Sequence, residues 1–169
     1  PREDEGVFEG RIGRGGLSRV HIRVTTDAAD GAPAWTAFRV ARRWPGLALL
    51  ELWPRTGRQH QIRAQLAAAG HPVVGDKIYG PDEGHFLAHL EGRLSADARG
   101  QLILGRHALH AASLAFCHPR TRETIRAEAP LPPDMESFLE GLGPAAGGAK
   151  RKKGGRAYLK GEGGVSPRL

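Results

Sequence analysis

Residues 34–70 read AWTAFRVARRWPGLALLELWPRTGRQHQIRAQLAAAG, and this stretch decides the fold class. Thr36, Phe38 and Val40 alternate with Ala37 and Arg39, the period-two signature of a strand. Residues 47–53 form a second apolar run, and Trp44-Pro45-Gly46 between the two is a turn signal, which predicts an antiparallel hairpin over 34–53. Pro54 has no amide to give a sheet and closes the second strand. A helix follows. Ile62, Leu66 and Ala69 recur at i, i+4 and i+7 to give an apolar stripe, and Gly70 supplies a C-terminal stop. Thr56, three residues ahead of Gln59, has the form of a capping box. Gln59, His60 and Arg63 lie three and four apart and share the other face, so a polar trio sits on a short helix packed against a sheet.

Working outward, Val20, Ile22 and Val24 alternate with His21 and Arg23 and predict a further half-buried strand. Residues 82–104 read as one or two short helices, with Phe86, Leu87 and Leu90 as an apolar face and Ser95 as a cap. A strand over 108–117 ends at Pro119 and is expected to pair with residues 124–128 across a turn at 119–123. Asp134 is placed to cap a last helix that bears Met135, Phe138, Leu139 and Leu142. Strands, a helix, short helices, strands and a helix in that order predict an α+β fold, a mostly antiparallel mixed sheet with flanking helices.

The chain has 169 residues, the length of one ordinary domain. No apolar run approaches the roughly 20 residues that span a bilayer. No charged-then-apolar leader opens the sequence, and the single cysteine, Cys117, excludes an internal disulfide and a cysteine-cluster zinc site. The expectation is a cytoplasmic protein with no membrane partner. Of the net charge of +7, residues 150–169 carry +6 and residues 1–149 carry +1. The basic segment is glycine-rich and lacks apolar periodicity, which predicts a folded region over 1–142 and a disordered tail over 143–169. Within that tail Lys150, Arg151, Lys152 and Lys153 are candidate RNA contacts through phosphates.

Other constellations lead nowhere. His85 and His89 are one helical turn apart but lack a glutamate beside them, and His107 and His110 fall on opposite sides of an extended segment, so no metal site is expected. Cys117 beside His118 reads as a packed small hydrophobe rather than a nucleophile. Gly13, Gly15 and Gly16 precede no helix, so they do not form a phosphate-cradling loop.

What remains is Thr56-Gly57-Arg58-Gln59-His60-Gln61-Ile62-Arg63 followed by Gly70-His71-Pro72-Val73-Val74-Gly75-Asp76-Lys77-Ile78-Tyr79-Gly80. This resembles the hallmark segment of the RluA family of RNA pseudouridine synthases. Leu109-His110-Ala111 with Leu114, Phe116, His118 and Pro119 is similar to a second family signature, and Ala129-Pro130-Leu131-Pro132 to its closing segment. Gly10-Arg11-Ile12 and residues 36–40 fit more loosely, and the resemblance covers about residues 6–140.

The resemblance implies an isomerase that converts uridine to pseudouridine in ribosomal or transfer RNA, with no cofactor and no metal. It implies that Arg63 pairs with the catalytic aspartate and that Leu109 is an apolar wall against the uracil or its ribose. Arg58, at the start of the helix, is read as a phosphate contact. His60 and Gln61 are expected to hold the site together, and Asp76 to shape a turn. The family's catalytic aspartate, in an Arg-Leu-Asp stretch, and its base-stacking tyrosine both precede the matching residues, and neither is in this chain; Arg93-Leu94-Ser95 falls in the wrong order. With Pro1 in first place, the expectation is the C-terminal portion of a catalytic domain, inactive alone and partnered by the missing N-terminal half of the same domain. The rival reading is a catalytically inert RNA-binding module with the same half-fold.

Overall fold

The computed structural model describes residues 1–15 and 18–146. Three strands, β1 (Glu5–Ile12), β2 (Ala32–Trp44) and β3 (Leu47–Pro54), form an antiparallel sheet in the order β1-β2-β3. Pro45 and Gly46, the latter at φ 72°, make the turn of the expected hairpin. The register runs Thr36 opposite Pro54 to Val40 opposite Leu50, with a bulge between Val40 and Arg42. A second, two-stranded sheet pairs β4 (Ser113–Cys117) with β5 (Thr124–Glu128). Helices α1 (Gln61–Ala68), α2 (Gly84–Leu90), α3 (Ala96–Leu102) and α4 (Pro133–Gly141) complete the order. The class is α+β as read from the sequence, and every strand pairing among the described residues is antiparallel.

One face of the large sheet carries Phe8, Ala34, Thr36 and Phe38, with the Phe8 and Phe38 rings stacked at 4.6 Å. Gly6 lies opposite Phe38, and a Cβ there would meet that ring at 2.9 Å. Helix α1 packs on this face through glutamines. Its buried residues are Gln61, Ala64, Gln65 and Leu66. Gln65 accepts from Thr36 Oγ1 at 2.7 Å and donates to the Phe8 and Ala34 carbonyls at 3.1 and 3.4 Å. Gln61 donates to Thr36 Oγ1 and to the Trp35 carbonyl at 2.9 and 3.1 Å. Each buried polar atom of this seam has a partner, as burial demands. The apolar stripe expected of Ile62, Leu66 and Ala69 is therefore reduced to Leu66, with Ala69 exposed.

Residues 20–24 are no strand. Val20 and Val24 are buried, Ile22 is exposed, and the Arg23 amide bonds back to Val20 O at 2.9 Å in a turn. The cause is the hydrogen-bond partner: the backbone N–H of Val24 donates to the Tyr79 hydroxyl, where a strand would offer a neighbouring carbonyl. This strap joins Ile12, Ala34, Ala64, Ile78 and Tyr79 in the core, flanked by Phe86 and Leu87. Ser95 caps α3 as read, accepting from Ala98 N at 3.1 Å. Asp134 does not cap α4; Pro132 takes that position, Pro133 opens the helix, and Asp134 pairs with Arg106 at 2.7 and 2.8 Å. The strand expected over 108–117 is ordered into a ladder only from Ser113 onward.

Candidate active site

Helix α1 is started by a polar knot. Thr56 Oγ1 accepts from Trp35 N at 3.0 Å and donates to Gln61 Oε1 at 2.7 Å, which also accepts from Arg58 N at 3.0 Å. Thr56 thus works with Gln61, two residues beyond the partner its capping-box spacing implied. The N-cap is His60, in the left-handed region at φ 53° with no side-chain cap. That conformation is uncommon outside glycine and, where a fold holds it, often marks a site. The helix ends in a Schellman turn: Gly70 N–H bonds Ala67 O at 3.0 Å and His71 N–H bonds Leu66 O at 2.8 Å, with Gly70 at φ 77°.

The chain then returns beneath the helix. Gly75, at φ 75°, turns the backbone and puts Asp76 under Arg63. Asp76 Oδ2 accepts from Arg63 Nε at 2.6 Å, and Oδ1 accepts from Arg63 Nη2 at 2.7 Å and from the Ile78 and Tyr79 amides at 3.0 and 3.1 Å. The Asp76 side chain is 0% exposed and that of Arg63 13%. Burial alone pushes the Asp76 carboxyl up; the Arg63 bonds, the two amides and the guanidinium charge outweigh it and hold the group below the ordinary carboxylate range. The pair is ionised and two-pronged, the geometry that orients a guanidinium most firmly.

Tyr79 forms the floor. Its ring centroid lies 5.2 Å from the Arg63 guanidinium carbon and 5.2 Å from that of Arg23. Its hydroxyl accepts from Val24 N at 2.9 Å, and lies 3.3 Å from Val24 O and 3.1 Å from His60 Nδ1. With the proton of His60 on Nδ1, the imidazole donates to the phenol and the phenol donates to Val24 O, which satisfies every group. Burial, and after it the Arg63 charge, lowers the pKa of both His60 and His107, so neither imidazole adds positive charge at neutral pH. Burial raises that of Tyr79.

The structure gives the sequence-read residues different fates. Arg63 is at the centre, but its partner in the chain is Asp76; among the described residues no acceptor engages its Nη1. Leu109 is half-buried on the irregular segment after α3, whose Ala108 amide bonds Val74 O at 2.7 Å and so lies beside the Asp76 turn. Arg58 is exposed, three residues ahead of the first helical residue, and its Nε donates to Pro33 O at 3.1 Å. Of the polar trio, His60 and Arg63 turn inward and Gln59 stays exposed. Lys150, Arg151, Lys152 and Lys153 lie outside the described residues. Sequence reasoning gave Asp76 to a turn alone and no role to Tyr79. The signal for more was an arginine close in sequence to a lone aspartate: a guanidinium that becomes buried needs a carboxylate within reach.

The chain is 40% identical over 139 residues to an RNA pseudouridine synthase of Bacillus subtilis called YlyB, across 82% of this chain and 39% of that protein. It is 36% identical over 143 residues to ribosomal large subunit pseudouridine synthase D of Nitrosomonas europaea, across 83% and 37%. Against ribosomal large subunit pseudouridine synthase C of Pasteurella multocida it is 38% identical over 120 residues, across 71% and 33%. The chain is similar to curated RNA pseudouridine synthases over most of its own length. It spans about two fifths of the length of the curated synthases it matches. No family model matches. Two human RNA pseudouridylate synthase domain proteins share the fold: domain-containing 4 at TM-score 0.58 and 22% identity, over 84% of this chain and 57% of that one, and domain-containing 1 at TM-score 0.54 and 23% identity, over 84% and 60%. The α+β arrangement thus matches part of the fold of those domains.

Proposed function

We propose that this chain supplies the C-terminal portion of the catalytic domain of an RNA pseudouridine synthase, acting on uridine in ribosomal or transfer RNA. The reaction breaks the C1′–N1 glycosidic bond, turns the base in the site and joins C1′ to C5; N1 takes up a proton and C5 releases one, so no oxidant, metal or cofactor is called for. The target base must leave the RNA stack, at a cost of a few kcal/mol that contacts to the protein offset. The nucleophilic aspartate and the base-stacking tyrosine come from the N-terminal half of the same domain, outside this sequence.

The observation that carries this reading is Arg63. It stands on the helix of the synthase-like segment, mostly buried, ionised and held by two bonds, with donors left over for a second carboxylate. A guanidinium within about 4–6 Å keeps a buried carboxylate ionised, as a nucleophile needs. Leu109, beside the Asp76 turn, walls the uracil or its ribose. Arg58, exposed ahead of the helix, contacts phosphate, as do Lys150, Arg151, Lys152 and Lys153 of the basic tail. In the full-length protein Arg63→Ala is expected to abolish tritium release from RNA labelled at uridine C5, with RNA binding kept within a few-fold. Full activity in that variant would refute the assignment.

A further inference from the structure

The Asp76 carboxylate is tied to the backbone independently of Arg63. Oδ1 accepts the Ile78 and Tyr79 amides, and the loop that carries it is fixed at both sides. Arg106 O packs against Gly75 where a side chain would stand, and Ala108 N–H bonds Val74 O at 2.7 Å. The Tyr79 ring then closes one face of the guanidinium, and its hydroxyl is anchored on Val24. A planar group held along its Nε–Nη2 edge and covered on one face keeps a single free edge, that of Nη1.

We infer that Asp76 is a positioning residue of the site, locking one edge of Arg63 so that the other is presented, already oriented, to the catalytic aspartate. This rests on the reading of Arg63 proposed above. Asp76 has two separable influences. As a negative charge it weakens the field of Arg63 on a second carboxylate; as an anchor it keeps the guanidinium from swinging away. Loss of the charge alone lowers the second carboxylate's pKa, whereas loss of the anchor raises it. The sign of the shift therefore separates the two.

The other charged or titratable groups about the pair are His60 at the head of α1, Lys77 and Tyr79 on the turn, Arg106 and His107 after α3, and Arg23 on the strap. Asp76 acts to raise both imidazoles, so its loss moves them downward and cannot imitate an upward shift.

The test uses the full-length protein and transcripts of ribosomal and transfer RNA labelled with tritium at uridine C5. Asp76→Asn is expected to lower kcat by about 10–100-fold, the scale of a small misplacement at a reacting centre, with KM held within about twofold. The acid limb of its kcat profile should move to higher pH. Partial unfolding scales the whole profile and leaves the limb in place, so the shift reads orientation rather than yield. An acid limb that stays put or moves to lower pH overturns the inference, as does an effect carried by KM. If Asp76→Asn is insoluble, Asp76→Glu keeps the charge, displaces the carboxylate and should show the same upward move; a parental limb there overturns it equally. Arg63→Ala separates the two ideas: an inactive Arg63→Ala beside a parental Asp76→Asn sinks this inference alone, and an active one sinks both.

Discussion

Gly75 and Gly46 both have positive φ, 75° and 72°, yet they differ in what surrounds them. A Cβ on Gly75 would stand 2.0 Å from Arg106 O, whereas Gly46 has nothing within 4 Å. Gly46→Ala should therefore cost only the left-handed backbone penalty, about 1–2 kcal/mol. Gly75→Ala adds a backbone collision and should cost about 3 kcal/mol or more, at or above the upper end of what single substitutions ordinarily cost. Denaturant titration of the two variants checks this; equal losses would mean the Arg106 segment yields freely. The pairing of Arg63 with Asp76 was beyond the sequence for a related reason. The two residues are 13 apart, at no helical or strand spacing, and they meet because Gly70 and Gly75 reverse the chain. The polar helix face that carries Arg63 was legible from its spacing; which carboxylate holds the guanidinium was not.

At the scale of elements, the seam between α1 and the sheet makes a prediction of its own. Gln65→Leu keeps the volume and gains apolarity, yet it takes away the acceptor of the Thr36 hydroxyl proton and the amide donor to the Phe8 and Ala34 carbonyls. Buried orphaned groups cost about 1–3 kcal/mol each, so a loss of about 2–4 kcal/mol is expected by thermal or chemical unfolding. A neutral or stabilising Gln65→Leu would show that the amide is not needed. The same seam explains what the sequence could and could not tell. The hairpin of β2 and β3 was readable because its signals, alternation and Pro45-Gly46, are local. The buried face of α1 was not, since an apolar stripe is the expectation and this helix buries two glutamines. The strap failed for want of a visible partner: alternation at residues 20–24 looks like a strand unless one knows that a phenol takes the backbone of Val24.

At the scale of the whole molecule, charge is segregated. The excess of +6 lies in residues 150–169 while residues 1–149 carry +1. Deleting 150–169 from the full-length protein should weaken RNA binding and flatten its salt dependence, with kcat retained. The log–log slope should fall by about 0.7 for each phosphate of single-stranded RNA that the tail neutralises. Filter binding between low and moderate salt measures that slope, and an unchanged value would leave the tail without a phosphate role. Apolar groups are segregated too. Leu114, Phe116 and Ile125 share one side of the small sheet and are 62%, 45% and 38% exposed. Patches of this kind mark surfaces that another segment covers, in keeping with a domain whose other half is proposed to lie outside this sequence.

The Tyr79 clasp on Val24 also sets a schedule. The two residues are separated by 55 positions, and between them the β2–β3 hairpin and α1 are completed. A chain emerging at about 5–20 residues per second exposes Val24 for roughly 3–11 s before its partner exists. Through that interval the backbone N–H of Val24 is served by water. That link draws the strap, the turn and the floor under Arg63 together, so this part of the site closes only after the hairpin and α1 have been made.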